Sequence, residues 1–125
     1  MSVAFFASGL AILIGVGIVA VGVRFLFMPR AAAAGYGVPA DPGAPGTGAY
    51  LTIKGVRDGI YGVLVFVLLA AAGRTALAWF MLTAAVLPLA DTVIVLRNHG
   101  SRVTAFAVHF ATAMVMLLDV ALLLA

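Results

Sequence analysis

From residue 2 to residue 23 the chain carries no charged side chain. A helix of about 20 apolar residues crosses a hydrocarbon core about 30 Å thick. In water a helix that is apolar all round must be buried on every side. The rest of this chain cannot provide that cover. Only 9% of its 125 residues are charged, while 66% are hydrophobic. Soluble domains carry about 25% charged residues. The chain therefore reads as an integral membrane protein whose first partner is the lipid bilayer. Soluble enzymes and disordered chains are excluded. The pI near 10 rests on a net charge of +3, which is no dense basic patch, so no nucleic-acid partner is expected. The run is too long for a signal-peptide apolar region and no basic residue precedes it, so it reads as a retained span.

Cysteine is absent. Disulfides, thiolate metal sites and thiol redox chemistry are thereby excluded. Two His and four Asp give no metal-ligand cluster, so neither a metal nor a cofactor is expected.

The remaining punctuation divides the chain further. Residues 29–52 hold four of the five prolines and five glycines, with Asp41-Pro42-Gly43 as a turn signal. This segment reads as a long loop, with one helical turn over residues 31–34. The apolar stretches on either side of Gly73-Arg74-Thr75 are each too short to span alone. They become spans when extended to about residue 54 in one direction and residue 94 in the other. The tripeptide then reads as a tight turn between antiparallel helices. The expected fold is an all-α, four-transmembrane-helix bundle running up-down-up-down in a single domain over residues 1–125. Its spans fall at about 2–28, 53–73, 75–97 and 102–124, with a long first loop and short second and third loops. Small residues Ala4, Ser8, Ala11, Gly15 and Gly22 share one face of the first helix, which allows close helix approach.

Six of the seven basic residues flank the first and third loops; only Arg74 lies at the second. The positive-inside rule then places both termini outside the cytoplasm, in a bacterial inner membrane. The bias also argues against a dual-topology antiparallel dimer.

Asp58 and Asp91 lie at nearly equal distances from the Gly73 turn, so the hairpin sets them at one depth, just inside the bilayer. His109 lies about two turns into the last helix. Ionisable residues inside a membrane are costly and usually face a partner or a water-filled cavity. Lys54, Asp58 and Tyr61 share a face of the second span. Arg102, Ala105, His109, Thr112, Met116 and Asp119 form one inward stripe on the fourth. Pro88, one turn before Asp91, frees the carbonyl of Ala84 and would open space there. Two arrangements remain open. In one, Arg57–Asp58 and Asp91–Arg97 are structural ion pairs, and His109 bonds a backbone group or an Asp. In the other, the cluster is a pocket with Asp58, Asp91 and His109 as catalytic candidates. Lys54, Arg57, Tyr61, Arg97 and Thr112 would then bind the ligand, with Lys54 and Arg57 holding an anion. Asp119 reads as an interfacial carboxylate and His99 as a loop residue. Tyr36, Tyr50 and Trp79 read as interface anchors or packing residues.

The run Ala33-Ala34-Gly35-Tyr36-Gly37-Val38-Pro39, followed by Lys54-Gly55-Val56-Arg57-Asp58-Gly59, resembles small uncharacterised four-helix membrane proteins of bacteria and fungi, similar in layout to the DoxX-like group. The Lys-Gly-x-Arg-Asp run is its most specific part, and Asp91 and His109 fit it more loosely. The resemblance implies a four-helix bundle and no established activity. The expected function is binding of a lipophilic small molecule in the cytoplasmic half, with proton-transfer chemistry of the isomerase, cyclase or hydrolase type. An oligomeric transporter or channel, or an accessory subunit using the small-residue face of the first helix, are the alternatives. A homo-oligomer is compatible with each.

Overall fold

The computed structural model describes residues 1–38 and 40–125, and among them every regular element is helical. Pro39, the last residue of the first run quoted above, lies outside the described residues. Helix α1 covers Val3–Phe27. It starts where the Ser2 hydroxyl accepts the Phe5 amide at 3.2 Å, satisfying one of the free donors at a helix start. It ends at Met28, with Arg24 in the last turn beside the negative end of the helix dipole.

Residues 29–52 are not the plain loop that their prolines suggest. Pro29 stands in the first turn of a short helix, α2, Pro29–Tyr36. There its missing N–H costs nothing, because the first helical amides have no intrahelical partner. Gly37 ends α2 in the left-handed region at φ +93°, a conformation that a side chain would strain. Helix α3 begins at Thr47 and runs to Ala71, several residues earlier than the apolar pattern alone indicates. Helical residues thus replace both ends of the expected loop, and α2 and α3 are separated by residues 37–46.

Helices α4, Gly73–Ala84, and α5, Val86–Arg97, continue one another across an irregular residue, Ala85. The break lies beside the position where the Pro88 ring conflicts with the carbonyl of residue i−4, Ala84. The turn between α3 and α4 is tighter than Gly73-Arg74-Thr75. Ala72 alone separates the helices, and Gly73, at φ +84°, already opens α4. The last stretch starts as α6, Arg102–Thr104, passes through a π-helical segment, Ala105–Phe110, and becomes α7, Ala111–Leu124.

Three stretches among the described residues are long and apolar enough to cross a membrane: Val3–Phe27, Gly73–Arg97 and Arg102–Leu124. This is consistent with an integral membrane protein. Helix α3 has 25 residues as well, but Lys54, Arg57 and Asp58 lie within it.

The small face of α1 is occupied within the chain, by α3. A Cβ on Gly22 would lie 2.5 Å from the Gly59 nitrogen and 2.7 Å from the Gly55 oxygen. A Cβ on Gly62 would lie 2.7 Å from the Val19 nitrogen. Residues late in α1 thus meet residues early in α3, so the two helices pack antiparallel at near-backbone contact. In lipid no water is squeezed out between helices, and such close van der Waals contact is what holds them together. Ala7 and Ala11 add to a core with Val65, Leu77, Met81, Met116 and Leu123.

Asp119 belongs to this core rather than to an interface. It is fully buried, and neither carboxyl oxygen has a hydrogen-bond partner among the described residues. Its place on the inward stripe, between Met116 and Val120, overrides its nearness to the chain end. Burying an unpaired polar group costs about 1–3 kcal/mol. Asp119→Val, close in size and apolar, is therefore expected to stabilise the protein by that order. Thermal unfolding in detergent checks the sign: a lower melting temperature would show that the carboxyl has a partner.

Candidate functional site

The site forms where α2 folds back under the ends of the long helices. Gly37 turns the chain there, and the carbonyl of Tyr36, one of the last of α2, is left without an intrahelical donor. His109 Nε2 donates to that carbonyl at 2.8 Å. The Nε2 therefore carries the proton in this bond. The rings of Tyr36 and His109 lie 4.4 Å apart, centroid to centroid. His109 is held there by the π-helical segment, a feature that is frequent at functional sites in other helices.

Tyr36 then organises the charges. Its hydroxyl donates to the Asp91 carboxylate on α5. The same oxygen accepts from Lys54 Nζ on α3 at 3.0 Å. Lys54 also donates to Asp58 Oδ2 at 2.8 Å, one helical turn away. A continuous hydrogen-bonded run, Asp91–Tyr36–Lys54–Asp58, thus joins three helices. The ammonium further sits 4.1 Å from the Tyr36 ring centroid and 5.1 Å from that of Phe25, a cation–π arrangement worth about 0.5–2 kcal/mol. Burial, reinforced by the negative charge of Asp91 and the hydrogen bond to it, then by Asp58, holds the Tyr36 phenol well above its ordinary pKa. It stays a proton donor at any pH near neutrality. His109 Nδ1 is 3.9 Å from Asp91 Oδ2, outside hydrogen-bond reach.

Above this run lies a cavity of about 540 Å³, within the ordinary range for small-molecule sites of about 300–1,000 Å³. Its polar wall is Tyr36, Asp58, Tyr61, Asp91 and Thr112; Leu10, Leu13, Ile14, Ile18 and Val21 of α1 line its apolar side. Ala84, Leu87 and Pro88 lie on its wall beside Asp91, where the helix is irregular. Tyr61 stacks on Phe80 at 6.2 Å.

A family model matches residues 15–124. The chain belongs to the DUF4267 family, a domain of unknown function. No curated protein and no solved structure matches the chain. The DUF4267 match takes in every polar residue of the site, while Leu10, Leu13 and Ile14 of the cavity's apolar side precede it.

Within the DUF4267 domain, the structure brings Lys54, Asp58, Asp91 and His109 together, with Tyr61 and Thr112 on the cavity wall. It does not bring Arg57 or Arg97. Both are exposed, and among the described residues neither pairs with an Asp. Asp58 takes Lys54 instead, because i and i+4 face the same way on a helix while Arg57 is turned aside. Asp91 takes Tyr36. Thr112 departs from the inward stripe. Ala113 is buried in its place, while Met116 and Asp119 further along keep to the stripe; Thr112 is left at the cavity rim, its hydroxyl donating to the Val108 carbonyl at 2.6 Å. Tyr50 and Trp79 are exposed, as anchors or packing residues at a surface would be, and His99 is in the turn after α5. Tyr36 is the residue that sequence reasoning missed. The signal for it was local: Pro29, an alanine run and Gly37 mark a helix start, body and stop around it.

Proposed function

We propose that this DUF4267 protein is a small polytopic protein of a bacterial inner membrane that binds a lipophilic small molecule and performs proton-transfer chemistry on it. In this reading α3 is a fourth span, and the helices run up-down-up-down as in the DoxX-like layout. Its charged turn is tolerable in lipid because Lys54 and Asp58 neutralise each other and Arg57 reaches toward the interface. The basic residues around the first and third loops put the site in the cytoplasmic half and both termini outside.

One observation carries the reading: a cavity with apolar walls ends on two carboxylates joined through Tyr36 and Lys54. An apolar body is held by the α1 side while its polar atoms meet the acidic end. One carboxylate can take a proton from the ligand and the run can return one at another atom, which leaves the protein unchanged and isomerises the ligand. A channel has less support, because the α1 side of the cavity is lined by Leu10, Leu13 and Ile14.

Gly17 provides the test. It lines the cavity, and a Cβ there would meet nothing within 4 Å. Gly17→Trp is expected to fill the cavity with the fold intact. Native mass spectrometry of protein released from non-ionic detergent should show a retained lipophilic molecule on the original protein and at least tenfold less on the variant. Asp58→Asn, Asp91→Asn and His109→Ala should each lose it too while remaining monodisperse. Retention by all four variants would end the proposal.

A further inference from the structure

Which head group the cavity accepts follows from which charges actually face it. The sequence pattern suggested an anion held by Lys54 and Arg57. Arg57 is exposed and absent from the cavity wall. Lys54 is absent from the wall as well. Its ammonium is engaged by Asp58 Oδ2 and the Tyr36 hydroxyl, and faces the rings of Tyr36 and Phe25. His109 stands behind Tyr36, with Nε2 committed to a backbone carbonyl.

The groups left on the wall are of the other kind. Asp58 and Asp91 line the cavity directly. The Tyr36 hydroxyl proton is given to Asp91, and the Thr112 hydroxyl proton to Val108. Tyr61 adds one hydroxyl, so the wall still offers acceptors in excess of free donors, with two carboxylates against one ammonium that is already used. An anion placed here would meet like charge in a medium that screens poorly. A cationic donor would complete the hydrogen bonding of both carboxylates.

We propose that the ligand is a single-chain amphiphile with a protonated amine head, its chain lying along Leu10, Leu13, Ile14 and Ile18. This rests on the reading of the cavity as a binding site, and it adds the class of ligand. A phospholipid does not fit the same wall, because its phosphate would lie against the carboxylates.

The experiment compares decylamine, decanol and decanoate, equal in chain length, by native mass spectrometry of the whole chain in non-ionic detergent at neutral pH. Decylamine is expected to bind at least tenfold more tightly than decanoate, with decanol between them. This order runs against the net charge of +3, which by itself would favour the anion. Gly17→Trp should remove the binding of all three. Asp58→Asn should lose most of the decylamine binding, and with it the preference over decanoate, because one of the two wall carboxylates that would meet the ammonium is gone. Equal binding of all three, sensitive to Gly17→Trp, would overturn the amine head and keep the cavity. Preference for decanoate by the original chain would overturn it as well. Binding that Gly17→Trp does not touch would overturn the cavity reading itself, and the amine head with it.

Discussion

Gly22→Leu is expected to leave little folded, monodisperse protein. The added Cβ alone would lie 2.5 Å from the Gly59 nitrogen and 2.7 Å from the Gly55 oxygen. Both are backbone atoms of a helix, and neither can rotate aside as a side chain would. Helices α1 and α3 would have to separate along their whole contact, which also rests on Gly15 against Val65 and on Gly62 against Val19. Overpacking a core commonly costs about 1–3 kcal/mol. Here the obstacle is backbone, so a loss above about 4 kcal/mol, in the exceptional range for one substitution, is expected. Gly9→Leu is the control, since a Cβ there meets nothing within 4 Å. Size exclusion and thermal unfolding in detergent separate the two. A Gly22→Leu protein as stable as the Gly9→Leu protein would mean that α1 and α3 do not pack in this register.

Tyr36→Phe is expected to disable the site while leaving the helices in place. It keeps the ring against Phe25 and His109 and the backbone carbonyl that His109 holds. It removes one oxygen that donates to Asp91 and accepts from Lys54. The carboxylate loses its donor, and the run between Asp91 and Asp58 is cut. Losing one partner of a buried polar pair costs about 1–3 kcal/mol, and these bonds are part-buried, which puts the loss toward the lower end. A stability loss of that order is expected, together with at least a tenfold loss of retained ligand. Tyr50→Phe is the matched control, since Tyr50 is 75% exposed. Full ligand retention by Tyr36→Phe would show that the hydroxyl is not part of the site.

Much of this was legible in the residues. The hairpin at Gly73 does set Asp58 and Asp91 against the same cavity, because two helices leaving one turn keep depth in step. The i,i+4 spacing of Lys54 and Asp58 was a sufficient sign of their pairing. It was also a sign against an Arg57–Asp58 ion pair, since adjacent residues of a helix do not face each other. Three features were hidden for physical reasons. Tyr36 reaches Asp91 across 55 positions and His109 across 73, and no periodicity encodes a tertiary contact of that length. The π turn over Ala105–Phe110 changes the period locally, so an α-helical stripe drawn from Arg102 misses at Thr112, where Ala113 is buried instead, and holds again at Met116 and Asp119. Asp119 looks interfacial by its place near the chain end; only the packing of α1 and α4 against α7 buries it.

The tie between Tyr36 and His109 also orders the making of the protein. Chains are synthesised at about 5–20 residues per second, so His109 follows Tyr36 by roughly 4–15 s. For that interval Lys54 and Asp58, neighbours in one helix, can already neutralise each other. Lys54 and Asp91, the partners of the phenol, also come before His109, so the α2 carbonyl alone must wait, with water as its partner. The site closes only when the last helix arrives, so a nascent chain stalled before its final span is a protein without a pocket.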